Sequence, residues 1–174
     1  MKKFELTADR IEEKGVTLHR IKALIDFGDV KAGELGGYVE KEENLSQYGN
    51  AWVYRHAKVF GNAYIYDDAC VCGNAEVYDD AHIYGNAEVY DDAEVYSNAR
   101  ICSNADYIYL KGFGSHNRST TIFKAKSGNI CVSCGCFIGS LQEFENKVKE
   151  THGNNKFAKE YLALVEAAKI HFEV

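Results

Sequence analysis

From Gly49 onward the hydrophobic and polar positions repeat every six residues. The chain reads GNAWVY, RHAKVF, GNAYIY, DDACVC, GNAEVY, DDAHIY, GNAEVY, DDAEVY, SNARIC and SNADYI, ten hexads in register without an insertion. Ala fills the third place from Ala51 to Ala105, and Val or Ile fills the fifth from Val53 to Ile101. One small and one branched inward position per six residues match neither the 3.6 period of a helix nor the 2 of a hairpin strand. The pattern predicts a chain that coils through short parallel strands with a turn after each, three hexads to an 18-residue coil. Branched residues form the flat walls of such a coil and alanines fill its tight corners. Weaker hexads run back through Leu45 to Val39, for about four coils in all.

The remaining hexad places face outward. In an 18-residue coil the sixth places stack as Tyr48, Tyr66, Tyr84, as Tyr54, Cys72, Tyr90, and as Phe60, Tyr78, Tyr96. Such ladders suit a subunit contact, because tyrosine is enriched in interfaces; stacking within one chain needs no partner. At the corners, Asp67 and Asp68 lie between Gly49 and Asn50 below and Gly85 and Asn86 above. Asp79 and Asp80 are spaced in the same way. Alternating GN with DD keeps like charges two rungs apart and reads as a solvated turn rather than a metal site. Asn and Asp also tolerate the left-handed backbone that such corners need.

Open coil ends invite pairing with other chains, so both are expected to be capped. Residues 1–36 read as the first cap. Phe4 to Leu6 and Val16 to Ile25 predict a hairpin across the loop ADRIEEKG, with Asp9, Glu12, Glu13 and Lys14 as a solvated tip. Residues 37–108 are the repeat, and 109–174 form an α+β module. There YIYLKGFG, TTIFKAKSG and NICVSCGCF read as strands separated by glycine turns. Ser140 and Glu143 form a capping box that opens a helix ending at Gly153, and FAKEYLALVEAAKIHF predicts a second helix.

Composition adds three points. No proline occurs in 174 residues, which suits a backbone that donates its N–H groups to continuous ladders. A net charge of −6 argues against partnership with a nucleic acid polymer or a membrane surface. MKKFELTADR lacks the apolar stretch of a signal peptide and no membrane-length apolar run occurs, so a cytoplasmic location and reduced cysteines are expected.

An aliphatic residue followed four places later by a small one, as in Val53 to Ala57 and Val59 to Ala63, resembles the left-handed β-helix of hexapeptide-repeat proteins. The resemblance supplies the handedness, since parallel crossovers are generally right-handed. IDFGDVKAGELGGYVE, the GNAxVY hexads and a tail with GSxxRSTT, CGCF and KETHGxxKFAKEY together resemble, over nearly the whole chain, a largely uncharacterised family of hexapeptide-repeat proteins carried by phages and prophages. That implies a mainly β fold in a bacterial host cell. By analogy it also implies a homotrimer, with a dimer as the second choice. Phage proteins of this size include cytoplasmic sponges that sequester nucleotide immune signals of the host.

Charge is sharply segregated. Residues 49–106 carry three basic and ten acidic side chains, whereas Tyr107 to Gln142 carry no acid and four cations: Lys111, Arg118, Lys124 and Lys126. KGFGSHNRSTT combines glycines, hydroxyls and the planar fork of Arg118, a set suited to cradling phosphate. It is not a P-loop, since GxxxxGK[ST] is absent. The expected site has Ser115, Arg118, Thr120 and Thr121 on phosphate, Lys111 and Lys124 supplying field, and Phe113 stacking on a base, with Tyr107 and Tyr109 as further rings. The expected function is non-catalytic sequestration of a small phosphate-containing ligand, with no cofactor and no metal. A polar connector remains the plain alternative for this segment. A third reading is a structural or protein-blocking role for the tyrosine-studded coil.

The hexapeptide resemblance also raises acyl transfer from acyl-CoA, with His82 or His116 as general base and His56 as another exposed candidate. Such enzymes commonly project a loop from the coil, and these hexads run uninterrupted. CVSCGC, with His152 downstream, reads as a structural strand rather than zinc ligation, which needs paired clusters or spaced histidines.

Overall fold

The computed structural model describes residues 1–174, which divide into two compact units, Met1–Asn104 and Ala105–Val174. The first is the expected β-helix with its N-terminal cap. Strands β1 (Phe4–Glu13), β2 (Val16–Ala23) and β3 (Leu35–Val39) precede nine two-residue rungs that build three parallel walls. One wall holds β5 (Lys58–Val59), β8 (Glu76–Val77) and β11 (Glu94–Val95), with β1, β2 and β3 continuing its sheet. The second holds β4 (Trp52–Val53), β7 (Cys70–Val71) and β10 (Glu88–Val89). The third holds β6 (Tyr64–Ile65), β9 (His82–Ile83) and β12 (Arg100–Ile101).

Backbone N–H groups bond one coil up: Trp52 to the Ala69 carbonyl at 3.1 Å, Tyr54 to that of Val71 at 2.7 Å. A proline at such a rung would delete a ladder bond. Inside, every hexad alanine from Ala51 to Ala99 is at most 1% exposed, and every branched residue from Val53 to Ile101 is fully buried. Ala105 departs from the expected pattern. It is exposed because the chain leaves the coil through a 3-10 turn at Asn104–Asp106.

The corners do more than separate charge. The first residue of each corner has positive φ, as at Gly49 (69°), Asp67 (58°) and Gly85 (61°). At Gly49 a Cβ would lie 2.5 Å from the Asp67 carbonyl oxygen, so glycine there permits the next coil to close in. Three of the corner Asn side chains donate to an Asp one coil above: Asn50 to Asp68 at 2.8 Å, Asn62 to Asp80 at 3.1 Å, Asn74 to Asp92 at 3.0 Å. Two of the aspartates at positive φ accept from the coil above, Asp67 from Gly85 N–H at 3.2 Å and Asp79 from Ser97 N–H at 3.0 Å. The GN/DD alternation is thus a hydrogen-bonded ladder.

The first coil has 20 residues, since Val39 pairs with Val59 and Leu45 with Ile65. Ser46 N–H therefore takes the ladder place on Ile65, and Tyr48 falls outside the expected column, 85% exposed. The two inserted residues, Gln47 and Tyr48, dock the N-terminus. Gln47 Oε1 accepts Lys3 N–H at 2.8 Å, and Lys3 Nζ donates to the carbonyls of Ala51 (2.9 Å), Gly49 (3.4 Å) and Tyr48 (3.5 Å). Burial pulls the Lys3 pKa down to about 8. Phe4 and Phe27 meet the buried ring of Trp52 edge-on, at 6.2 and 5.3 Å.

Two tyrosine columns stack within the chain: Tyr66 on Tyr84 at 5.1 Å, and Phe60, Tyr78 and Tyr96 at 5.1 and 5.8 Å. The stretch read as a hairpin loop is instead mostly strand, closed by a two-residue turn at Lys14 and Gly15 with φ of 48° and 80°. Its tip is not simply solvated. Glu13 pairs with Lys58, Lys58 with Glu76 at 3.0 Å, and Lys14 with Glu76 at 2.7 Å, while Lys14 Nζ sits 4.1 Å from the Tyr78 ring centre. Burial opposes ionisation of Glu76, yet the hydrogen bonds from Lys14 and Lys58 prevail and hold its carboxyl below the ordinary 4.5.

The second unit is an antiparallel meander of β13 (Tyr107–Phe113), β14 (Arg118–Lys124), β15 (Ile130–Cys134) and β16 (Phe137–Ser140), followed by α1 (Leu141–His152) and α2 (Lys156–Phe172). The capping box forms: Ser140 Oγ accepts Glu143 N–H at 3.3 Å and Glu143 Oε2 accepts Ser140 N–H at 2.8 Å. Asn155 caps α2 in turn, accepting from Phe157 and Ala158 at 2.9 and 3.0 Å. The apolar faces of both helices join Ile122, Ile130 and Val132 of the sheet in one core.

Glu76→Gln is expected to lower stability at pH 7 by about 1–2 kcal/mol. The folded-state pKa of Glu76 is depressed, so its contribution is present above the unfolded value and lost as pH falls through the folded one. Urea midpoints of variant and parent should differ at pH 7 and converge in the acid range below 4.5.

Candidate functional site

The second unit holds a cavity of about 500 Å³ between the turns of its sheet and the inner faces of its helices. Its polar lining is Ser115, His116 and Arg118 from the β13–β14 connection and the start of β14, and Lys147, Thr151 and His152 from α1. Its apolar lining is Phe137, Phe144, Val148 and Tyr161, with the thiols of Cys134 and Cys136 beside them. No carboxylate is among these residues. Of the neighbouring acids, Glu150 pairs with Lys147 at 2.9 Å and Glu160 accepts Gly114 N–H at 3.1 Å.

Two glycines at positive φ set the walls. A Cβ on Gly135 (φ 61°) would lie 1.9 Å from Arg118 Nη1, so the guanidinium lies directly over this turn. A Cβ on Gly114 (φ 70°) would lie 2.2 Å from the Tyr161 hydroxyl oxygen. Tyr161 donates to the Phe113 carbonyl at 3.3 Å, and Cys134 Sγ, which accepts from Thr120 Oγ1 at 3.2 Å, donates to Tyr161 at 3.7 Å. Burial, reinforced by that bond to Cys134, pushes the Tyr161 pKa well above the usual phenol range, so the ring is a neutral wall. The rings run continuously: Phe137 to Phe144 at 5.2 Å, Phe144 to Tyr161 at 5.5 Å, His152 to Tyr161 at 5.9 Å.

Of the residues expected from sequence, the cavity gathers Ser115 and Arg118, together with His116, whose Nδ1 lies 2.9 Å from Ser115 Oγ. The other five are placed differently. Thr120 and Thr121 are 1% and 2% exposed, the first spent on Cys134 and the second on the opposite face of the strand by simple alternation. Phe113 packs against the core rather than standing free to stack. Lys124 lies exposed at the far end of β14, six residues from Arg118, and Lys111 is exposed on β13. Sequence reasoning missed the helix side entirely. Lys147 and Thr151, and Val148 and His152, are i,i+4 pairs on α1, visible as a helix face but with nothing to mark them as lining a cavity. Cys134, Cys136 and His152 all line the cavity, but no group of three His, Cys, Asp or Glu is arranged to hold a metal ion.

His82, the other candidate base, stands on β9 with Tyr64 and Tyr66 edge-on at 6.1 and 6.0 Å. It does not line this cavity.

No family model matches the chain. Over 42 residues, 24% of this chain, it is 48% identical to a protein from Escherichia coli strain K12 named "Uncharacterized acetyltransferase YdcK". The match spans 13% of that protein's length. The coil and this partial likeness fit a protein of the hexapeptide-repeat kind.

Gly114→Ala should destabilise the chain by about 2 kcal/mol or more, because a side chain at positive φ is strained and the new methyl meets the buried Tyr161 ring. Gly112→Ala is the control, since it shares the positive φ but has nothing within 4 Å. A thermal melt that treats the two alike would contradict the seating of Tyr161.

Proposed function

We propose that the second unit is a non-catalytic binding module for a small phosphate-bearing ligand of nucleotide type. One observation carries the reading: a cavity of about 500 Å³ in which Arg118, Lys147, His116 and His152 meet an aromatic floor and no lining carboxylate. The volume suits a small organic molecule. Cations without lining acids favour an anion, and a guanidinium fork favours phosphate or carboxylate through paired hydrogen bonds. An aromatic lining favours a ligand that carries a ring. Binding without turnover makes the protein a sink for its ligand.

Calorimetry with AMP, ADP, ADP-ribose and cyclic nucleotides, followed by mass spectrometry of the released ligand, tests this. At least one should bind and be recovered intact, and Arg118→Ala should weaken it at least tenfold, about 1.4 kcal/mol. Equal affinity in the variant, or no binding across the panel, sinks the assignment.

The partial likeness to a protein named as an acetyltransferase supports a second reading, acyl transfer from acyl-CoA. His116 is then the better base, because it lines a cavity and His82 does not. Acetyl-CoA turnover by the purified protein, abolished by His116→Ala, would favour this reading over sequestration.

A further inference from the structure

We infer that the ligand of this cavity carries two separate anionic groups, the chemistry of a nucleoside bisphosphate rather than of a nucleotide phosphorylated at one end. The inference rests on the binding reading above and adds to it. Its basis is the division of the cations between two elements. Arg118 reaches the cavity from β14, across the Gly135 turn. Lys147 reaches it from α1, where Thr151 lies one turn further on the same helix face. Phe137, Phe144 and Tyr161 line the cavity beside them, with successive ring planes inclined at 53° and 85°.

Both cations are under-committed. The hydrogen bond of the Arg118 guanidinium is to Cys136 Sγ at 3.7 Å, a weak acceptor that leaves the paired donors of the fork available. Lys147 is held by Glu150 in a pair whose side chains are 58% and 71% exposed, an arrangement that contributes little and exchanges readily with another anion. A phosphate on Arg118 alone leaves the helix-side cation unanswered. A second phosphate on the same ligand answers it without the entropy loss of binding a second molecule.

The test compares AMP, ADP and adenosine 3′,5′-bisphosphate by calorimetry at one salt concentration. ADP is the control for charge, since it carries two phosphates at one end. The bisphosphate should bind at least tenfold more tightly than either of the others. Lys147→Met should reduce its affinity about tenfold more than that of AMP, whereas Arg118→Ala should weaken all three. Lys147 is exposed, so its replacement leaves the fold intact, as a circular dichroism melt should verify. Equal binding of the three ligands, or equal losses for AMP and the bisphosphate in Lys147→Met, overturns the two-group inference while the binding reading stands. Failure of all three to bind overturns both.

Discussion

Close approach of backbone and side chain at residues of positive φ is the constraint on which both units depend. In the β-helix the first residue of each corner from Gly49 to Ser97 has positive φ, and at Gly49 there is no room for a Cβ against the carbonyl of Asp67. That contact lets each coil sit one rung from its neighbour, with alanine inside the corner and a branched residue on the wall. In the second unit the same device has another use. Gly114 and Gly135 let Tyr161 and Arg118 lie directly on the turns, and those two side chains then shape the cavity. A methyl group at any of these positions would occupy space already filled.

Charge is arranged to match. The first unit carries eleven basic and nineteen acidic residues, the second nine and seven. Much of the first unit's acid is engaged locally. Corner aspartates accept from asparagine side chains and backbone N–H groups one coil away, and Glu13 and Glu76 are tied to Lys58 and Lys14. Neighbouring acids of the second unit are likewise engaged, Glu160 on a backbone N–H and Glu145 on Lys149 and Lys169. No carboxylate lines the cavity, although Glu150 pairs with the lining Lys147.

The departures from the sequence reading share a cause. The hairpin tip reads as solvated because Glu13 and Lys14 are charged; their partners, Lys58 and Glu76, lie 45 and 62 residues away. Tyr48 reads as part of an aromatic column because the spacing to Tyr66 is 18, yet two extra residues in the first coil displace it. Thr120 and Thr121 read as phosphate ligands because they sit in a polar run, although β14 buries one in the core and turns the other to the opposite face. Each side chain was assigned from its neighbours in the chain, and each is governed by its neighbours in space.

What the chain's order of residues determined by itself is everything local or periodic. A six-residue repeat defines walls and corners because each coil repeats its contacts with the next, and capping residues start the helices because their partners lie three residues away or fewer. The Arg118 side of the site belongs to this class, since a basic, glycine-rich segment announces it. Only the tertiary structure decided that a face of α1 would meet that segment, bringing Lys147 and His152 into the same cavity as Arg118. Packing of the helices against the sheet is driven by buried apolar area, which is indifferent to the polar groups it carries along. The composition of the rim follows from the angle and phase of that packing, and neither is written in any short stretch of residues.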